Sequence, residues 1–268
     1  MASSDVDRDE DLVIEQIAEA LVPDPSRSVP VLASSFSDRL ELDDAYRIQR
    51  AVANHRHRAG DRVVGRKVGL VDPEAQSRLG ATEPIGGYLF ASGQIPAGGM
   101  IGSIAREPAA VECELAFIMN RELAGPGVTL DAALDAVAGA VASLEVIESR
   151  LPGSALLVDM VADNCSGAGY VVGDDPIAPR SLDRFTTGVV LEGDGHVIAS
   201  GATGGVLGDP ARSLMWLADR LGSLGDGLRS GDIVLTGAII PPVPTDRAAR
   251  FRASFGGGLG AVDVGGHG

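Results

Sequence analysis

Beyond Gly60 the chain is cut by glycine and proline into short apolar runs: Val63-Val64, Glu114 to Met119, Gly188 to Leu191 and Ile233 to Thr236. Runs of that kind between turn-forming residues predict strands. The chain holds 36 glycines, several in steps such as Gly204-Gly205 and Gly256-Gly257-Gly258, which call for tight turns and close backbone approaches. Two helices interrupt this texture. One is expected over Leu130 to Ala142, the other over Ala211 to Leu224, where Leu214, Leu217, Leu221 and Leu224 recur at helical spacing and Trp216 adds to the core.

Before Gly60 the pattern is helical. Leu12, Ile14, Ile17, Ala18 and Leu21 form one stripe, stopped by Pro23, Pro25 and Pro30. A second helix, capped by Asp43 or Asp44 and ended by Gly60, carries Ala45, Ile48, Ala51 and Val52 on its apolar face. No repeat of fixed period and no long linker divides the rest. The reading is an α+β chain, with a small helical N-terminal region at 1–61 and a β-rich catalytic domain at 62–268.

Charge narrows the partners. With 22 Lys+Arg against 37 Asp+Glu the net charge is −15, which excludes non-specific nucleic-acid or anionic-membrane binding, because those partners need clustered cations. The apolar stretch 132–147 is broken by Asp135 and Glu145, so no membrane span is expected. Two cysteines, Cys113 and Cys165, suit a reducing cytoplasm, and the acid-rich start does not resemble a secretion signal.

Within the run Val111 to Ile118, Glu112 and Glu114 are two apart on an expected strand and project to one face. Two such carboxylates repel unless protons or a cation lie between them, and a hard divalent ion such as Mg²⁺ resolves the conflict. Spacing by itself favours the plainer reading, an exposed half-polar strand. Glu145 is a third candidate, an acid inside the apolar run Ser143 to Ile147 where an unpartnered charge is costly. Spacing does not show whether the two strands meet.

The ordered runs Gly65-Arg66-Lys67-Val68-Gly69-Leu70, Glu112-Cys113-Glu114, Leu144 to Arg150, Ala162-Asp163-Asn164-Cys165-Ser166 and Gly231 to Gly237 resemble the 2-keto-4-pentenoate hydratase and 4-oxalocrotonate decarboxylase family, within the fumarylacetoacetate hydrolase superfamily. The resemblance spans nearly the whole chain. It implies a mixed β-roll with flanking helices, a homo-oligomer, a complex with a neighbouring pathway enzyme, and a small 2-oxo acid as substrate. It also implies Mg²⁺ or Mn²⁺ held by Glu112, Glu114 and Glu145, an active-site lysine at Lys67, and substrate contacts at the Thr236-Gly237 turn. Arg150 is a candidate grip for a substrate carboxylate, or else a partner of Asp163 or Glu148.

Hydratases of this family carry an aspartate in a Pro-Asp-x-Gly run, where it orients water. Here the stretch is Glu83-Pro84-Ile85-Gly86, so Ile85 stands at that position, as an aliphatic residue does in the decarboxylases, and an apolar wall excludes water. Glu74, Glu83 and Asp163 are then the candidates to orient it. The Val63 to Leu70 run and the Trp216 to Thr236 segment look closer to hydratases. Hydratase is therefore the first reading and decarboxylase the runner-up, with an acylpyruvate-type hydrolase or a non-catalytic scaffold as readings of other classes.

Overall fold

The computed structural model describes residues 3–22, 31–37, 39–148 and 150–267. Two helices, α1 (Ser3–Leu21) and α2 (Leu42–Arg58), open the chain. They are followed by β1 (Val63–Gly69), α3 (Pro73–Leu79), β2 (Ile85–Phe90), β3 (Ala109–Met119), α4 (Leu130–Asp135), β4 (Val137–Glu148), α5 (Leu157–Ala162) and β5 (Gly167–Val172). The remaining elements are β6 (Gly188–Gly193), β7 (His196–Ala202), α6 (Pro210–Ser223), β8 (Ile233–Ala238), the short β9 (Val243–Pro244), β10 (Arg250–Phe255) and β11 (Gly260–Gly265).

The larger sheet runs in the order β2-β1-β8-β3-β4-β5, with β9 paired to β3; the smaller runs β11-β10-β6-β7. The large sheet curls until its edge strands β2 and β5 approach each other. At that seam the Ile95 N–H donates to the Tyr170 carbonyl at 2.8 Å. The expected mixed β-roll with flanking helices is therefore the observed fold. Its outer face packs against the small sheet and α6, burying Phe117 and Leu144 of the roll with Phe251 and Val264 of the small sheet and Leu214 and Leu217 of α6. Its inner face holds a smaller apolar cluster of Leu89, Ala116, Val141, Tyr170 and Leu235.

The N-terminal helices share one apolar cluster with the roll: Ile14, Ile17 and Ile48 meet Ile85, Val161 and Cys165. Helix α2 also covers the open edge of β2, where Gly86 N–H donates to the Tyr46 hydroxyl at 3.0 Å and Gln49 Nε2 donates to the Gly86 carbonyl at 2.9 Å. Those bonds satisfy backbone groups that an edge strand leaves exposed.

Three local expectations need correction. The helix expected over Leu130 to Ala142 ends at Asp135, and residues from Val137 onward form β4. Both faces of that strand are buried, so its sequence lacks the alternation that marks a half-exposed strand. The cap of α2 is Glu41, not Asp43 or Asp44; Asp44 Oδ2 accepts the Glu41 N–H at 3.1 Å in a reciprocal capping box. Helix α6 begins one residue earlier than expected, at Pro210, with Asp209 accepting the Ala211 N–H. Pro23, Pro25 and Pro30 lie outside the described residues. None of the described helices is long and apolar enough to cross a membrane.

Candidate metal centre

Strands β3 and β4 pair antiparallel with Glu112 opposite Glu145 and Glu114 opposite Ser143. Strand alternation then places all three glutamates on the inner face of the roll, while Cys113, Leu115, Leu144 and Val146 point into the main core. Carboxylate oxygens of Glu112, Glu114 and Glu145 lie within 4.8 Å of one another. Glu114 and Glu145 are each 1% exposed, and Glu112 is the most open of the three.

Lysine enters the cluster through β8. Lys67 pairs with Leu235, and Leu235 pairs with Ala116, so Lys67 shares the inner face with the acids. Its Nζ lies 2.5 Å from Glu145 Oε1 and donates to the Cys165 carbonyl at 3.0 Å. That carbonyl is presented by a turn in which Asn164, Cys165 and Ser166 have φ of 59°, 53° and 61°. Three successive left-handed residues with side chains cost about 1–2 kcal/mol each, so the turn must be held from outside. The Asn164 carboxamide does this by accepting from the Tyr88 N–H at 2.7 Å and donating to the Tyr88 carbonyl at 3.0 Å, much as a neighbouring strand would. From α2, Gln49 Nε2 also donates to the Val161 carbonyl at 2.7 Å, just before the turn.

Glu114 is oriented by the backbone. The Gly237 N–H donates to its Oε2 at 2.7 Å. Gly237 has φ of +105°, and a Cβ there would lie 2.4 Å from Val71 Cγ1, so glycine is required for β8 to turn its N–H toward the acid. Glu114 Oε1 and Glu145 Oε2 are buried with no hydrogen-bond partner among the described residues. Three carboxylates and one ammonium give −3 + 1 = −2, the charge that one divalent cation neutralises. The donor set, oxygen only and partly unpartnered, fits a hard ion of that charge.

The electrostatics agree with that fit. Burial, and then the charge of Glu145, pushes Glu112 up to about 7. Burial, followed by the charges of Glu145 and Glu112, holds Glu114 well above the ordinary carboxyl range. Glu145 is raised by burial against the lowering effect of Lys67. For Lys67 burial works downward, but the Glu145 carboxylate outweighs it, so the ammonium is held above its usual value.

Other candidates fall in different places. The Thr236 hydroxyl donates to the Leu115 carbonyl at 2.8 Å, so this turn reaches the acids through the Gly237 N–H. Arg150 is paired with Asp163, at 2.8 Å from Nε to Oδ2, the alternative to a free substrate grip. Glu74 is on the surface beside Arg78, and Glu83 accepts from Trp216 Nε1 at 3.2 Å. Ile85, opposite Gly69, shares the face of β1 and β2 that carries Lys67, yet it is 2% exposed and packed in the cluster under the N-terminal helices. Gln49 and the Cys165 carbonyl escaped the sequence reading. The only trace of Gln49 there is a polar residue next to Ile48 on the apolar face of α2.

The fumarylacetoacetate (FAA) hydrolase C-terminal family model matches residues 46–258. A 2-keto-4-pentenoate hydratase of Burkholderia vietnamiensis is 39% identical over 219 residues, covering 81% of this chain and 83% of that protein. A 4-oxalocrotonate decarboxylase of a Pseudomonas species is 31% identical over 230 residues, covering 85% and 87%. Among solved structures, 4-oxalocrotonate decarboxylase from Pseudomonas putida G7, complexed with magnesium and adipate, has a TM-score of 0.85 at 27% identity and covers 96% of this chain and 97% of that one.

Proposed function

The chain belongs to the fumarylacetoacetate hydrolase C-terminal family, and from that premise we propose that it is a divalent-metal-dependent lyase of short 2-oxo or 2-hydroxydienoic acids, a 2-keto-4-pentenoate hydratase of meta-cleavage-type catabolism. The observation that carries this reading is the cluster of Glu112, Glu114, Glu145 and Lys67 inside the roll. Its net charge and its unpartnered carboxylate oxygens support Mg²⁺ or Mn²⁺ held by the three glutamates. When bound, such an ion supplies stabilisation of the negative charge that develops on a 2-oxo acid as it loses a proton.

The chain's own residues supply the rest. Lys67 Nζ, held between Glu145 Oε1 and the Cys165 carbonyl, is the proton-bearing group beside the acids and is suited to transfer a proton or to hold a substrate oxygen. The Gly237 N–H keeps Glu114 aimed at the cluster. Leu89, Ala116, Val141, Tyr170 and Leu235 give the inner face an apolar lining beside the acids. In hydration the 2-hydroxydienoate is ketonised at its terminal carbon, and water adds to the conjugated double bond to give a 4-hydroxy-2-oxo acid.

The second reading, decarboxylation of 2-oxo-3-hexenedioate, is favoured by Ile85, an apolar residue where the hydratases place a water-orienting aspartate. The two are separated by incubating Mg²⁺-loaded protein with 2-hydroxypenta-2,4-dienoate and with 2-oxo-3-hexenedioate, following dienol absorbance and CO₂ release. Turnover of the first, abolished by EDTA, is expected. Turnover of neither overturns both. Ile85→Asp is expected to raise hydration relative to decarboxylation, and an unchanged ratio places the discrimination elsewhere. The homo-oligomer rests on family resemblance, and light scattering on the purified chain tests it.

A further inference from the structure

A cavity lies between α2, α6 and the β1–β2 hairpin, away from the carboxylates. Four arginines line it, Arg47, Arg50, Arg66 and Arg220, against Asp226 as the one acid among its lining residues. Asp226 pairs with Arg66, Asp43 with Arg220, and Asp44 and Asp11 with Arg47, which leaves Arg50 as the one of the four with no carboxylate partner among the described residues. Arg66 gets there by strand alternation: it neighbours Lys67 on β1, and the two side chains leave opposite faces.

The arginines are placed by packing as well as by charge. The Arg66 guanidinium lies over the Tyr88 ring, 3.7 Å from its centroid, and that of Arg220 over Tyr46 at 4.4 Å. Arg66 is 8% exposed along its side chain, and Asp226 engages its Nη2 at 2.7 Å. Its Nη1 and the Nε of Arg220 are buried with no hydrogen-bond partner among the described residues. Arg50 Nη1 donates to the Leu224 carbonyl at 3.2 Å, and no carboxylate is paired with it among the described residues. Buried charged donors without acceptors are costly, and a planar guanidinium fork matches a carboxylate. The same cavity is apolar along Leu217, Leu221 and Leu224.

We propose that this cavity is a second ligand site, taking a small organic carboxylate whose anionic head meets the arginines and whose apolar body lies against the leucines of α6. The proposed catalytic reaction uses none of these arginines, and the site needs no metal.

Calorimetric titration of the full chain with benzoate, in EDTA and in Mg²⁺, tests it. Saturable binding of one benzoate per chain is expected, unchanged within twofold by EDTA and weakened at least tenfold in Arg220→Gln and in Arg50→Gln, with inorganic phosphate binding more weakly. Absence of saturable binding overturns the proposal. So does binding that EDTA abolishes, which belongs to the carboxylate cluster, and so does binding that both variants retain. Phosphate binding tighter than benzoate overturns the assignment to a carboxylate with an apolar body. Arg50 is on the rim, so its variant carries the test if Arg220→Gln fails to fold.

Discussion

The inner face of the roll has two ends built from the same strands. On β3, Glu112 and Glu114 form one end, and Ala116 and Ile118 form the other; on β4, Glu145 and Ser143 give way to Val141 in register. The apolar end, where Ala116 and Val141 are buried, stabilises the fold by burial. The acid end cannot, because two buried carboxylates and a half-buried third share one lysine and leave oxygens unpartnered. One scaffold therefore carries a layer that serves stability beside a layer that costs stability, and a divalent cation held by the second would offset that cost. The apolar neighbour also lowers the local dielectric, which strengthens attraction between the acids and that cation.

Substitutions at the two ends should separate activity from stability. Glu114→Gln keeps an acceptor for the Gly237 N–H but removes a charge, and is expected to cut kcat by about a hundredfold or more and weaken Mg²⁺ binding with the thermal midpoint retained; calorimetry and steady-state kinetics check it, and full activity at saturating substrate breaks the comparison. Lys67→Met is expected to lower kcat by about 10²–10⁴-fold, the usual worth of a positioned proton-transfer group, while Mg²⁺ still binds. At the opposite end, Val141→Ala should cost about 1–3 kcal/mol in denaturant unfolding and leave kcat within a few-fold at a temperature where the variant is folded. A large loss of kcat there would show that the two ends are not separable. The smallest effect is expected at the seam: Asn164→Ala removes two bonds to Tyr88 and should lower stability by about 1–3 kcal/mol, with a kcat decrease reflecting the displaced Cys165 carbonyl.

The degree to which this was legible beforehand differs by element. Helix α6 was readable because one face is buried and the other is wet, which leaves a leucine every third or fourth residue. The start of strand β4 is not legible as strand, because both of its faces are buried and no period survives. The parity of Glu112 and Glu114 was also readable, since a strand alternates. The Asn164–Ser166 turn was only half visible: asparagine tolerates the left-handed region, but cysteine and serine give no such sign.

The sequence alone therefore determined which side chains share a strand face and the strand-rich texture after Gly60, because these depend on neighbours within a few residues. Only the tertiary structure decided that Glu145 stands opposite Glu112, that Lys67 reaches Glu145 from β1, and that Arg66 turns instead toward three other arginines. Those meetings join residues far apart in the chain, and they are set by sheet order and by the curl that brings β2 to β5, which no local pattern encodes.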